Sequence, residues 1–517
     1  MELLFGIDVP LSVVLLPVTL LLAYLYGTWP YGTWRSLGIR GPPPTAFFGN
    51  TRAFSTKGTL YTLLDWSKEY GRVYGIYLGR QPLLVTSDLD ILKEVLVKDF
   101  GHFSDRFNAG IALTARPIEK GVFFVGGADW KRIRNIITPT FSAGKLKMME
   151  HFINRCGTDL AENLVEIAEH KGKVDVKEYF GAYTLDVITG TAFGLQVNSQ
   201  KDFSEPFVSN IKKMMSRAGR TNVFFILAAL APFLAPLIGK IRNRFFQPET
   251  ISFLLHNIGH MVEERKREKQ DRRPVDFLQL LINAESSEVA ASSGNVSKKR
   301  LTKDEIIAQV FIFFIAGYET TATTLQYLAY SLAVHPDVQK REKPSYENVG
   351  KLKYLEQTIY ETLRLFPPVT MVTRMASETV TIKGVTIPKG FGVLVPICDV
   401  LRDPEYFPEP EKFMPERFSS ANKNDVSFLA FGFGPRLCIG MRLALLEIKI
   451  AMVHVLRAVK FNKTPDLPEK MTFKPAGGLL PSAFPILIQS ELRSSENAKP
   501  APRRRAAGPG AATVDQL

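Results

Sequence analysis

The segment Phe431-Gly-Phe-Gly-Pro-Arg-Leu-Cys438-Ile-Gly440 sets one cysteine between glycines, just before an apolar stretch that reads as a helix over Ile439–Ala458. Glycines allow turns closed to other residues and let the backbone approach a flat ligand. A helix start presents unpaired N–H groups and the positive end of a dipole, both of which lower a thiol's pKa. Arg436 adds a cation able to pair with an anionic ligand group. The pattern predicts a cradled thiolate of the kind a haem iron takes as an axial ligand. The bland alternative is a buried core cysteine.

The chain has 517 residues, enough for one large domain or a few ordinary ones. Its three cysteines, Cys156, Cys398 and Cys438, form no C-x-x-C pair, which argues against a disulfide framework and for a reducing compartment. His256 and His260 stand four apart, but a zinc pair would need an adjacent Glu and a third ligand, so they read as ordinary helix residues. The formal net charge of +14 suits nucleic acid, anionic lipid or an acidic protein partner. No finger spacing, recognition helix or aromatic RNA-binding motif supports nucleic acid.

Val9–Tyr26 is apolar and uncharged, and as a helix it would reach about 27 Å, close to a bilayer's hydrocarbon thickness. Glu2 and Asp8 precede it, unlike the basic start of a cleaved leader. Tyr24, Tyr26, Trp29 and Trp34 fit an interfacial belt, and Arg35 and Arg40 fit the positive-inside rule. An uncleaved single-pass anchor is expected, with the N-terminus luminal and the remainder cytosolic. Residues 1–26 form this anchor and 27–50 an aromatic and proline-rich hinge containing Gly41-Pro-Pro-Pro44. Val223–Ile238 is a second apolar run with basic flanks, read as a surface segment dipping into headgroups, with a core helix as the alternative.

The remainder is predicted to be mainly α with small β-sheets. Helices are expected at Thr59–Lys68, Asp90–Lys98, Ala128–Phe141, Lys145–His170, Pro206–Arg217, Thr250–Gln270, Thr302–Val334, Lys351–Leu365 and Ile439–Ala458, the longest opened by a capping box at Thr302-Lys-Asp-Glu305. Strands are expected at Val73–Tyr77, Pro82–Thr86, Thr379–Ile382 and Val393–Pro396, and near Ile486–Ile488. Ser286–Lys298 reads as a flexible loop, and 494–517, with Arg503–Arg505, as a disordered tail.

Three further constellations bear chemistry. Ala316-Gly-Tyr-Glu-Thr-Thr321 puts Glu319, Thr320 and Thr321 in the middle of an otherwise apolar helix. Gly317 weakens that helix locally, hydroxyls can divert backbone hydrogen bonds, and an acid beside an alcohol can pass protons inward. Glu361-Thr-Leu-Arg364 pairs an acid and a base on one helix face. Trp130-Lys-Arg-Ile-Arg134 aligns an indole N–H with a guanidinium, a combination that suits anionic carboxylates. Taken singly, each has an ordinary surface or amphipathic explanation.

In their order, these motifs resemble the cytochromes P-450, and F-x-x-G-x-R-x-C-x-G matches that family's haem-binding signature at each fixed position. Ala-Gly-Tyr-Glu-Thr-Thr, Pro-Thr-Phe-Ser-Ala-Gly-Lys-Leu-Lys and Leu-Ala-Leu-Leu-Glu-Ile-Lys are similar to the vertebrate microsomal family-3 type, which includes broad-specificity drug and steroid oxidases. The resemblance covers about residues 10–492. Two departures stand out. The charged stretch between His335-Pro-Asp-Val-Gln339 and Tyr354 is shorter than usual, and the arginine-rich tail is atypical.

The resemblance implies a single haem-thiolate catalytic domain over 51–493 with haem b on Cys438. It further implies propionates held by Trp130, Arg134, Arg374, Arg436 and Arg106, with Phe431 and Gly440 against the cofactor. Glu319 and Thr320 would serve oxygen activation, and Glu361, Arg364 and Arg417 would brace the pocket. Phe311, Ile312, Ile315, Ala316, Val369, Thr370, Leu479, Leu480 and parts of Phe107–Val125 would line an apolar substrate site. The implied activity inserts one oxygen atom of O2 into lipophilic molecules at the endoplasmic reticulum membrane. Electrons would come from NADPH through cytochrome P-450 reductase, with cytochrome b5 a second donor, docking near Lys131, Arg132, Lys145, Lys147 and Lys449. Two alternatives stay open: a haem-thiolate isomerase of thromboxane-synthase type, and a non-catalytic, haem-poor product of the shortened region.

Overall fold

The computed structural model describes residues 2–3, 7–8, 11–107, 114–194, 197–203, 206–217, 224, 227–228, 234–245, 248–268, 276–285, 300–342, 352–419 and 425–493. Half of Val223–Ile238, the Ser286–Lys298 loop, most of Lys340–Lys353 and the tail from Ser494 lie outside them. The helices that carry the argument are α1 (Leu11–Thr28), α2 (Thr59–Tyr70), α3 (Gly127–Ile137), α4 (Ala143–Glu169), α5 (Val176–Phe193), α6 (Lys303–Val334), α7 (Lys353–Leu365) and α8 (Met441–Ala458).

The 32-residue α6 is the axis. Its start is fixed by the expected capping box: Thr302 N–H donates to Glu305 Oε2 at 2.8 Å, and Glu305 N–H donates to Thr302 Oγ1 at 3.3 Å. Residues on all its faces are buried, so although its length and hydropathy would suit a membrane span, it is the core of the body. Helix α5 packs along it. Asp175 caps α5 by accepting from Lys177 N–H, and left-handed Gly194 ends it. The two helices approach closely because Gly317 has no side chain: a Cβ there would lie 2.9 Å from Ile188 Cδ1. Gly317 therefore serves packing, and α6 runs unbroken through it. Helix α8 packs against α4, closing a layer beneath α6.

A four-stranded sheet flanks the helices. Its strands are β1 (Val73–Leu78), β2 (Gln81–Thr86), β4 (Met371–Met375) and β7 (Gly392–Pro396), in the order β1-β2-β7-β4, with β2 and β7 parallel. A smaller sheet joins β3 (Lys173–Asp175), β8 (Val459–Lys463) and β9 (Leu487–Leu492), and β5 (Val380–Ile382) pairs with β6 (Val385–Ile387). Branched and aromatic residues populate these strands, as a half-buried pleated surface favours.

Leu15, Leu16, Leu20, Leu21, Leu22 and Leu25 of α1 are all exposed. Trp34 corrects the interfacial-belt expectation. It is buried, its indole Nε1–H donates to Ile76 O at 3.0 Å, and its ring lies where a Cβ on Gly75 would stand. An indole that finds both a partner and a packed ring face on the sheet belongs to the body. The Pro42–Pro43 carbonyls accept from Asn50 Nδ2, both at 3.2 Å, so this stretch is pinned to the domain.

Candidate active site

The cysteine loop is held by its own backbone. Cys438 N–H donates to Phe431 O at 2.9 Å, and Leu437 N–H to Gly434 O at 2.9 Å. Gly432 and Gly434 take φ of 76° and 74°, a left-handed conformation that other residues enter only with strain. Gly434 is also sterically required, since a Cβ there would lie 1.9 Å from Leu96 O. Gly440 caps α8, and a Cβ on it would meet nothing within 4 Å. The backbone beside the sulfur is thus open on one side.

Cys438 is deep in the protein yet keeps accessible surface, because it faces an internal cavity. That cavity, of about 110 Å3, also reaches Ala316, Gly317, Thr320 and Thr321 of α6. The turn and the polar stretch of the central helix therefore face one interior space. Burial pushes the Cys438 thiol up, outweighing the opposing pull of the Gly440 and Met441 N–H groups, Arg134 and Arg106. This corrects the expectation that the helix start lowers the thiol's pKa. Desolvation wins, and a coordinating cation is what deprotonates such a thiol outright. The guanidiniums that act on the sulfur are those of Arg134 and Arg106, with Arg436 further round the site.

Four segments far apart in sequence bring arginines together. Arg134 (α3) donates to Leu437 O at 2.7 Å. Arg436 donates to Ser104 O at 2.6 Å and Val125 O at 2.9 Å, with its guanidinium 4.5 Å from the Trp130 ring centroid. Arg106 lies over Phe123, and Arg374 (β4) donates to Thr373 O at 2.8 Å. Nε of both Arg106 and Arg374 is buried without a partner. Among the described residues none of the four makes an ion pair. Asp105, which acts on Arg436, has its Oδ1 occupied by the Gly127 N–H and the Ser104 hydroxyl. Burial first, then mutual repulsion, pulls Arg106 down to about 10 and Arg374 and Arg436 to about 9. Clustered, desolvated cations with orphaned donors match a ligand carrying more than one anionic group. A cavity-facing cysteine, an open glycine backbone and this cluster fit haem with its propionates.

On α6, Thr320 Oγ1 donates to Ala316 O at 2.6 Å, and Glu319 pairs with Lys177 at 3.1 Å. Consecutive helix positions face different ways, so the acid meets α5 while the alcohol faces the cavity. Of the expected pocket walls, Ile312, Ile315, Ala316, Val369 and Leu479 keep accessible surface, and Val369 bridges Leu479. Phe311, Thr370 and Leu480 are packed more tightly, at 4%, 1% and 2% exposed. Phe311 of α6 belongs to a hydrophobic core cluster, and the Leu480 carbonyl accepts from Tyr327.

The Glu361 network is assembled as expected. Arg364 Nε and Nη2 grip the Glu361 carboxylate at 2.8 and 2.9 Å, and Arg417 Nε and Met414 N–H donate to its Oε1 at 3.1 and 2.9 Å. The docking surface needs correction. Lys449 is buried and paired with Glu356 at 2.6 Å, and Arg132 is tied to Glu305 and Asp129. These cations serve internal pairing, whereas Lys131 and Lys147 are exposed and Lys145 is half-buried. Lys177 and Glu447 went unnoticed in the sequence. The first carries no local signal, and the second is an acid inside the apolar Leu443-Ala-Leu-Leu-Glu447-Ile run.

The family model described as Cytochrome P450 matches residues 39–487. The chain is 39% identical over 497 residues to cytochrome P450 3A7 of Homo sapiens, covering 93% of this chain and 96% of that protein. It is 38% identical to cytochrome P450 3A29 of Sus scrofa, covering 92% and 95%. It is 39% identical to cytochrome P450 3A30 of Fundulus heteroclitus, covering 92% and 97%.

Proposed function

The chain belongs to the cytochrome P450 family, of the 3A type, and is a haem-dependent monooxygenase; from that premise we propose how its own residues serve the activity and on what it acts. Cys438 is the axial ligand, in the one loop where a cysteine meets both an open glycine backbone and the interior cavity. Haem held by a thiolate supplies dioxygen activation, the sulfur raising electron density on the iron. Arg106, Arg134, Arg374 and Arg436, with Trp130, take the propionates. The observation that carries this assignment is the convergence of four guanidiniums without an ion-pair partner among the described residues.

Thr320 holds a proton position at the cavity wall, its hydroxyl oriented by the Ala316 carbonyl. Glu319, kept in place by Lys177, is the solvent-side end of that route. Glu361, Arg364 and Arg417 fix α7 against the Met414–Phe418 turn and so brace the cysteine side. The walls that keep accessible surface, Ile312, Ile315, Ala316, Val369 and Leu479, are apolar and carry few orienting groups. Lipophilic substrates of steroid and drug size, bound by area and shape, suit them. Electrons come from NADPH through a flavoprotein reductase that docks on exposed basic residues, Lys131 and Lys147 among them. Residues 1–26, with the exposed leucines of α1, anchor the chain in the endoplasmic reticulum membrane, the body cytosolic.

The test is NADPH-dependent turnover of steroid and drug panels by membranes reconstituted with the reductase. Thr320→Ala should lower product formation about a hundredfold. Undiminished turnover in Thr320→Ala, or turnover without NADPH, would point instead to an isomerase.

A further inference from the structure

Gln309 is a primary amide on the apolar first half of α6, and it is 0% exposed. Burying such a group is costly unless its donors and its oxygen find partners. Here they do. Gln309 Oε1 accepts from Val122 N–H at 2.7 Å, and Nε2 donates to Lys120 O at 3.1 Å. Nε2 also donates to Glu305 O, one turn back on α6, at 2.9 Å. The side chain thus takes an N–H from one peptide and gives an N–H to another two residues away, as a neighbouring strand would. The two peptides belong to the segment 115–127, which runs between α6 and the arginine cluster.

That segment has little regular structure of its own: Ile118–Lys120 is a single 3-10 turn. Ala115, Ile118 and Val122 are buried in the same core cluster as Phe311, Phe313 and Phe314 of α6. Gly121 lies directly on α6, since a Cβ there would stand 2.6 Å from Ile312 Cγ1. Lys120 pairs with Asp304 in the first turn of α6. The far end of the segment meets the arginines. Arg436 donates to Val125 O at 2.9 Å, and Arg106 donates to Phe123 O at 3.4 Å with its guanidinium 4.3 Å from the Phe123 ring centroid. Phe123 stands edge-on to Phe124, with ring centroids 5.2 Å apart, and both rings keep accessible surface. The segment is a strap: one part is held to α6 beside Ile312, and the next part rests on two members of the arginine cluster.

We propose that Gln309 is a positioning residue for substrate: by pinning residues 120–122 to α6 it keeps Ile312, Phe123 and Phe124 as one apolar wall at a set distance from the arginine cluster. This rests on reading Ile312 as a pocket wall and Arg106 and Arg436 as holding the cofactor. Without the amide, the Val122 N–H and the Lys120 carbonyl lose their partner, and the strap lifts from Ile312. A substrate bound by area and shape then loses part of its wall. A small ligand that goes straight to iron loses nothing.

The test uses the holoenzyme in membranes, wild type beside Gln309→Leu and Gly121→Ala. The first removes the amide at similar volume, and the second pushes the strap off Ile312 from the other side. Hydrogen exchange read by mass spectrometry should be about tenfold faster over Ile118–Val125 in both variants, the loss of roughly one net hydrogen bond. Progesterone serves as the steroid probe, and imidazole, which binds iron without the wall, as the control. The progesterone dissociation constant, read from the ferric Soret shift, should rise about tenfold in Gln309→Leu, with KM following it and kcat within about twofold, the signature of lost uniform binding. Imidazole should bind as it does to wild type. Unchanged exchange would overturn the proposal. So would faster exchange with an unmoved progesterone constant, which makes Gln309 a fold residue only, or equal weakening of progesterone and imidazole, which moves the defect to the cofactor. If Gln309→Leu does not fold, Gly121→Ala decides by the same readouts. The carbon monoxide spectrum of the wild type separates the two levels: no thiolate band means that the haem-thiolate reading has failed, whereas a thiolate band with an unmoved progesterone constant rejects the role of Gln309 alone.

Discussion

Two clusters of buried charge in this molecule are built on opposite plans. Around Glu361 each guanidinium has a carboxylate or carbonyl partner inside the protein: one carboxylate takes Arg364, Arg417 and the Met414 N–H, and the spare guanidinium donors go to the Leu401, Pro408, Glu409 and Lys412 carbonyls. Around Arg106, Arg134, Arg374 and Arg436 the cations repel one another, and two buried Nε groups are unpaired. The first cluster completes itself, so it reads as architecture. The second is complete only with an anionic ligand, so it reads as a binding site. Buried charge alone does not separate structure from function, whereas the tally of donors against acceptors does.

The comparison breaks most visibly at Glu361. Glu361→Gln leaves the buried Arg364 and the half-buried Arg417 without a carboxylate and should cost ~3–5 kcal/mol. Chemical denaturation of the holoprotein would show it; a cost under about 1 kcal/mol would mean the network is not what holds α7 in place.

Asp399 sharpens the point from outside both clusters. It accepts from Ser67, its other oxygen is unpartnered, and burial raises its pKa to about 7. The folded state holds this proton more tightly than the unfolded chain, so stability is highest below about pH 4 for this group and falls as pH rises toward 7. The loss is on the order of 4 kcal/mol at about 1.4 kcal/mol per pH unit. Asp399→Asn should remove that slope from a stability–pH curve between pH 4 and 8; an unchanged slope would reject the assignment.

At Arg374 the effect is smaller and of another kind. Arg374→Met removes one repelling cation, so unfolding free energy should hardly change, while cofactor retention weakens by ~1.5–3 kcal/mol, the worth of a hydrogen bond to a charged group. Transfer of haem to a scavenger protein should therefore speed up about ten- to a hundredfold. Equal losses in stability and retention would place Arg374 with the architecture. Smallest, Lys147→Ala should raise the reductase concentration at half-maximal turnover a few-fold at low salt and little at high salt.

Much of this was legible from local pattern. The capping box at Thr302, the amphipathic periods of α2 and α4, and the cysteine loop depend on neighbours in sequence, and they stand as expected. Helix α5 was missed because Phe180–Phe193 is buried on nearly every side, so it shows no amphipathic stripe, and its threonines and β-branched residues do not favour helix. Lys449 was misplaced for a different reason: its partner, Glu356, lies on another helix, and no spacing rule reports such a pair. The four arginines come from separate segments, and motif order, not periodicity, brought them together. Glu447 went unnoticed because its burial depends on the packing of α4 and α5 against α8, which no local pattern reports.

The measurement that bears most directly on the central claim is the carbon monoxide difference spectrum of the dithionite-reduced protein in membranes, wild type beside Cys438→Ala. A Soret band at the red-shifted thiolate position in the wild type, absent from the variant, is the predicted result. A wild type with no band, or with only the blue-shifted form, would contradict the assignment of Cys438 as ligand and of the arginine cluster as its propionate clamp.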